Sequence, residues 1–324
     1  MGKLTKTELL RRYNAGGYSR NGTADPYAGR STGKGIRPAE KLPVLTPDFS
    51  FSDSSEFSVT WFGHSSVLLR ISGTSILLDP VFSEFATPVI PFGPKRFSRP
   101  SVRIKDLPHI DVCITTHDHY DHLDRRCIRA LRSRTDVFLG PQGVGELLTV
   151  FGAPAEKVRS FAWWQEEIIK GIRFICVPSF HNSGRYPLRM NSTFWSSWII
   201  DDGKRKLYIC GDSGFSSHFE AIHKVYGDMD FALMDTSQYS INWPGCHMFP
   251  EDSVKAAKIL GTKLAMPYHY GAFVLSGHAW DDPPERFTLR ADEEGLAWMA
   301  PRLCETADIT CPEKYQSRWW REIK

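Results

Sequence analysis

The stretch Thr115 to Asp124, TTHDHYDHLD, sets three histidines and three aspartates in ten positions directly after the apolar run IDVCI (110–114). The run reads as a buried strand, so the loop leaving it starts at a strand end. There the side chains of His117, His119, Asp121 and His122 can all turn toward one point. One face of a regular strand could not achieve this, because the adjacent Asp121 and His122 would diverge. Imidazole nitrogens and carboxylate oxygens without thiolate suit Zn2+, and also Mn2+ or Fe. A two-metal centre needs more ligands than these four.

Three later residues occupy the same kind of position, each following an apolar run: His181 after FICVPSF, Asp212 in LYICGDSG and His269 after LAMPY. A sheet delivers groups at such positions to a shared edge, so convergence of all seven side chains is feasible. Spacing alone says no more than that.

Around this loop the chain is organised in two β-rich halves. The first holds FSVTWFG, SVLLRIS, TSILLDP and IDVCITT; the second holds GIRFICVPS, FWSSWIID, RKLYICGD, DFALMD and KLAMPYH. Helices are predicted at DRRCIRALRS, PQGVGELLTVFG and PEDSVKAAKILG, the last with Pro250 in its first turn, acids at its start and Gly261 at its boundary. The pattern predicts an α/β fold: a β-sandwich covered by helices. Residues 13–42 are rich in Gly and charge and poor in large aliphatic side chains, so residues 1–50 are read as a basic, partly extended or disordered arm and residues 51–324 as the catalytic domain.

The net charge of +3 conceals an asymmetry, since residues 1–42 carry nine Lys/Arg against three Asp/Glu. With no extended basic surface outside the arm, no nucleic-acid partner is expected. Seven cysteines without a CxxC pair predict reduced, mostly buried thiols. The chain has no apolar run of spanning length and no signal-like start, so a cytoplasmic protein is expected, with peripheral membrane contact at most. A homodimer is compatible with the sequence.

HDHYDH resembles the HxHxDH signature of the metallo-β-lactamase superfamily, and His181, Asp212 and His269 follow in the order that superfamily uses. The resemblance implies an αββα sandwich of two mixed sheets flanked by helices. It also implies two divalent metal ions, zinc foremost. His117, His119 and His181 would hold the first ion and Asp121, His122 and His269 the second, with Asp212 between them. TWFGHSSVLL, LLDPVFS, GPKRFSRP, AWWQEE, CGDSGF and YHYGAF extend the likeness, over roughly residues 58–275, to the N-acylphosphatidylethanolamine-hydrolysing phospholipase D group. Lactamases acting on antibiotics use a cysteine where Asp212 stands and do not ligate through the histidine of the DH pair, so a β-lactamase is not expected.

The implied activity is hydrolysis of a phosphodiester, in a lipid or small molecule, by a hydroxide held between two metals. Asp121 and Asp212 would orient the nucleophile. His247, just before the Pro250 helix, would stabilise charge or protonate the leaving group, although Cys246 precedes it where the mammalian-type pattern has glutamine. Two other readings share the scaffold: a lactonase of the ascorbate-phosphate type, and a non-hydrolytic di-iron redox or metal-sensing protein. His64 is expected to orient a ligand or contact Asp79, and Asp79 to hold the metal loop. The connection at residues 81–100, with four Phe and with Lys95, Arg96 and Arg99, reads either as a lid or binding wall, its aromatic side chains lining an acyl-chain channel and its basic ones meeting phosphate, or as a core-covering loop with solvated charges.

Overall fold

A computed structural model describes residues 35–50, 57–88, 91–185, 190–243 and 245–323. Two seven-stranded mixed sheets stack face to face. The first runs β14 (Thr306–Asp308), β1 (Phe57–Trp61), β2 (Val67–Ile71), β3 (Thr74–Leu78), β4 (Ile110–Ile114), β5 (Thr135–Pro141) and β6 (Val158–Phe161). The second runs β13 (Ala297–Trp298), β12 (Leu264–Tyr268), β11 (Phe231–Asp235), β10 (Lys206–Ile209), β9 (Ser197–Asp201), β8 (Ile172–Val177) and β7 (Glu166–Ile169). Each sheet is parallel from one inner strand outward, β3 to β6 and β10 to β13, and antiparallel through the rest.

The strands read as continuous apolar runs because both faces are covered. In β3, Ile76 and Leu78 face the core between the sheets, while Leu77 joins Cys113 and Phe138 beneath α1 (Arg125–Leu131) and α2 (Val144–Phe151). On the other sheet α3 (His218–Tyr226), α4 (Pro250–Ile259) and α5 (Asp282–Glu294) supply Phe219, Val254 and Phe287 to the packing. The αββα sandwich implied by the signature is therefore the observed fold.

Of the segment read as an arm, residues 1–34 lie outside the described residues. Within 35–50, Leu42 is buried, Val44 bridges Leu303, and Leu45 N donates to Leu303 O at 2.8 Å. The tail also adds β14 against β1, and its Leu303 is the partner of Val44 and Leu45. All seven cysteines are free thiols, five of them buried. Among the described residues no helix is long and apolar enough to cross a membrane.

Candidate metal centre

The parallel strands end on one side of the sandwich, where open α/β sheets place their ligands. Asp79 follows β3, the loop 115–124 follows β4, His181 lies beyond β8, Asp212 beyond β10, and His269 directly after β12. Asp235 is the last residue of β11. The local backbone is forced to make these deliveries: His64, Asp79 and His269 have φ of 55°, 37° and 74°, a left-handed region costly to side chains and typical of functional sites. Gly211 precedes Asp212 at φ 61°, and a Cβ there would lie 2.7 Å from Ser196 O.

All seven residues expected to bind metal come together, in two groups whose ligand atoms lie within 4.8 Å of one another. His117, His119, His181 and Asp212 form one; Asp121, His122, His269 and His64 form the other. Asp212 reaches both, with Oδ2 3.1 Å from His122 Nε2 and 3.6 Å from His117 Nε2, and Oδ1 3.3 Å from His269 Nε2. Metal bonds of about 2.1 Å would set tetrahedral ligand atoms roughly 3.4 Å apart. The observed separations fall around that value, with His117 Nε2 to His119 Nδ1 at 2.9 Å, His181 Nε2 to His119 Nδ1 at 3.2 Å and His122 Nε2 to His269 Nε2 at 2.9 Å.

The outer hydrogen bonds choose the donor atoms. His122 Nδ1 donates to Asp79 Oδ2 at 2.7 Å and His181 Nδ1 to the Cys246 carbonyl at 2.8 Å, so each ring turns Nε2 inward, where it offers a lone pair whenever the ring is neutral. Asp212 Oδ1 is buried without a hydrogen-bond partner. A buried carboxylate oxygen so placed, facing convergent imidazoles, fits a cation. The residues present therefore suit two divalent ions.

Charge separates the groups. Burial, reinforced by neighbouring imidazoles, holds His117 well below the ordinary histidine range, and burial does the same to His181. At His122 and His269 burial also opposes the charged ring, but it is outweighed. Asp212, Asp121 and Asp79 raise His122 well above its ordinary value, and Asp212, Asp121 and Asp235 push His269 to about 10. Burial would raise the Asp121 and Asp212 carboxyls, yet the same imidazoles draw both well below the usual carboxylate range.

Asp79 holds the metal loop as expected, accepting from Thr116 N and Thr116 Oγ1, both at 2.7 Å, as well as from His122. His64 does not contact Asp79. Its Nε2 meets Asp121 Oδ2 at 2.8 Å, because the β1–β2 turn is tied to the far sheet: His64 N donates to Tyr270 O at 2.7 Å and His269 N to His64 O at 3.1 Å. Asp235 was missed by sequence reasoning. It closes the apolar run DFALM as Asp212 closes LYICG, a signal that identified one acid and would have identified the other. Arg96 is turned into the protein rather than toward solvent. It is buried, donates to Ser83 O and Val81 O, lies 4.5 Å over the Phe273 ring, and is lowered by burial to about 10. His247 stands beside the cluster, its ring 5.2 Å from His181 and 5.4 Å from His269.

A family model described as a beta-lactamase superfamily domain matches residues 74–270, the span from β3 through the residues just after β12. The chain belongs to that superfamily. It is 36% identical over 289 residues to an uncharacterised protein of Mycobacterium tuberculosis, covering 88% of this chain and 77% of the relative. It is 29% identical over 248 residues to N-acyl-phosphatidylethanolamine-hydrolyzing phospholipase D 1 of Caenorhabditis elegans, covering 72% and 69% of the two chains. In three dimensions it resembles Igni18, a metallo hydrolase of Ignicoccus hospitalis, with a TM-score of 0.58 and 19% identity over 78% of this chain and 97% of the other. That likeness concerns the fold.

Proposed function

We propose that the protein, a metal-dependent hydrolase of the metallo-β-lactamase superfamily, cleaves a phosphodiester at a two-metal centre, with N-acyl phosphatidylethanolamine-like lipids as the substrate class. The observation that carries this reading is the Asp212 carboxylate shared between two imidazole-rich groups. Two bound divalent ions would lower the pKa of a coordinated water and neutralise charge growing on the attacked phosphoryl group. The protein's own part is positional. His117, His119 and His181 hold one side of the centre, Asp121, His122 and His269 the other, and His247 faces the leaving group.

The lipid assignment draws on the nematode relative and on one surface feature. A cavity of about 240 Å3 opens beside Tyr120 of the metal loop, lined by Phe85, Pro88 and Phe151 together with Arg125, Arg126 and Arg185. Aromatic walls with guanidinium groups suit an acyl chain next to an anionic head group. The decisive experiment measures metal content by plasma mass spectrometry alongside hydrolysis of bis(p-nitrophenyl) phosphate and of N-acyl phosphatidylethanolamine in mixed micelles. Two equivalents of metal with cleavage of both substrates is the expected result. Cleavage of the simple diester alone would remove the lipid, lactone hydrolysis without diester cleavage would replace the reaction, and absence of bound metal would end the reading.

A further inference from the structure

Asp235 is fully buried and belongs to neither of the two groups built from the signature. Its Oδ2 accepts from His247 Nδ1 at 3.0 Å and from Ser213 N at 3.2 Å, and its Oδ1 accepts from Ser237 N at 3.3 Å and lies 3.5 Å from His269 Nδ1. The carboxylate is itself anchored at both ends of its backbone surroundings, since Ser253 in the first turn of α4 donates its hydroxyl to Asp235 O. The α4 start thus fixes the end of β11, and β11 fixes the His247 ring.

The consequence lies in the ring's two nitrogens. With Nδ1–H committed to a carboxylate, Nε2 is the nitrogen left for substrate. Nothing among the described residues bonds to it, and the side chain keeps 13% of its surface open beside the cluster. The ring lies nearly parallel to His269, at 18°, and edge-on to His181, so it borders both metal groups without joining the chelate around His117.

We propose that Asp235 is a positioning residue: it holds His247 in the Nδ1–H tautomer so that Nε2 serves the leaving oxygen. The inference rests on the hydrolase reading above. As water's oxygen bonds to phosphorus it sheds a proton, which the Nε2 lone pair accepts; as the phosphorus–oxygen bond to the alcohol breaks, the bonding pair goes to the alcohol oxygen, which takes that proton from Nε2 and returns the ring to the Nδ1–H tautomer. A poor leaving group needs that proton; p-nitrophenolate does not.

The test compares the zinc-loaded wild type with Asp235→Ala, Asp235→Glu and His247→Ala on two diesters of one acid, one leaving as ethanol and one as p-nitrophenolate. His247→Ala and Asp235→Ala should each lose roughly 100-fold on the ethyl ester and little on the nitrophenyl ester, the size expected of general acid catalysis. Their combination should be no worse than His247→Ala, Asp235→Glu should recover part of the loss, and the metal content of His247→Ala should stay unchanged. Long-range proton–nitrogen NMR of the zinc form should show Nδ1–H at His247 in the wild type and its loss in Asp235→Ala. Equal losses on both esters, additive losses, reduced metal content in His247→Ala, or an Nε2–H tautomer in the wild type would overturn the assignment. His247→Ala leaves the Ser213 and Ser237 contacts intact and reads the leaving-group pattern even if Asp235→Ala folds poorly. A wild type that cleaves neither ester fails the hydrolase reading, and the tautomer then decides the positioning claim by itself.

Discussion

The two halves of the centre are built from similar donors yet stand in opposite electrostatic states. The group of His117, His119 and His181 leans on one carboxylate, Asp212, and burial keeps its rings neutral. The group of Asp121, His122 and His269 is backed by further acids, Asp79 behind His122 and Asp235 behind His269, which draw positive charge onto its imidazole pair, whose Nε2 atoms lie 2.9 Å apart. One half offers lone pairs at once, whereas the other must shed positive charge before it can ligate. Similar ligands therefore imply different costs of loading.

The largest effect should come from the residue the halves share. Asp212→Ala is expected to lose both metal ions and bring hydrolysis to background, whereas Asp121→Asn with His122→Ala should leave the first ion bound. Retention of two equivalents in Asp212→Ala would break the comparison. Next, the second ion should load with proton release from the His122–His269 pair, while the first loads with little. Lowering the pH should therefore strip the second ion first, and calorimetry in buffers of different ionisation enthalpy would show it. Loading that is equally pH-dependent at both ions would contradict the charge difference.

Asp79→Ala should weaken the second ion by about 10 to 100-fold through lost orientation of His122, and leave the first within a few-fold. A further effect, on stability rather than on metal loading, lies outside the centre. His218 is fully buried and lowered by burial to about 3, with Nε2 3.2 Å from Ser213 Oγ. The unfolded chain binds a proton there near the ordinary value and the folded chain refuses it. Stability should then fall as pH drops below about 6.5, by up to about 1.4 kcal/mol per unit, until the folded value is reached. His218→Gln should flatten that limb in denaturant titrations, and an unchanged slope would refute it.

The contrast between the halves also marks what the sequence could convey. The candidate ligands were legible because they follow apolar runs, directly or in the loop that leaves one, and the central strands because burial on both faces removes polar positions. Edge strands were not: β6 and β7 carry Arg159, Glu166 and Glu167, and no strand is read from those segments. Nor was α5, whose buried face includes Asp282, Glu285 and Arg286, satisfied by ion pairs such as Arg286 to Glu251 at 2.8 Å rather than by apolar contacts. The same blindness hid the burial of Arg96, since a charged side chain in a lid-like connection gives no sign of the carbonyls waiting for it. Acids and bases that compensate one another in space leave no periodic trace along the chain.

The main-chain hydrogen bonds joining His64 to His269 and Tyr270 set the gap between the sheets where the ligands meet. They act as a jig: the span is clamped by main-chain atoms, and side chains are tools mounted on it. Exchanging a tool leaves the clamp untouched. Ligand substitutions in this protein should therefore keep the mounting geometry and report on the chemistry of the missing atom, whereas a proline at position 269, which removes one clamping N–H, should spoil every tool at once.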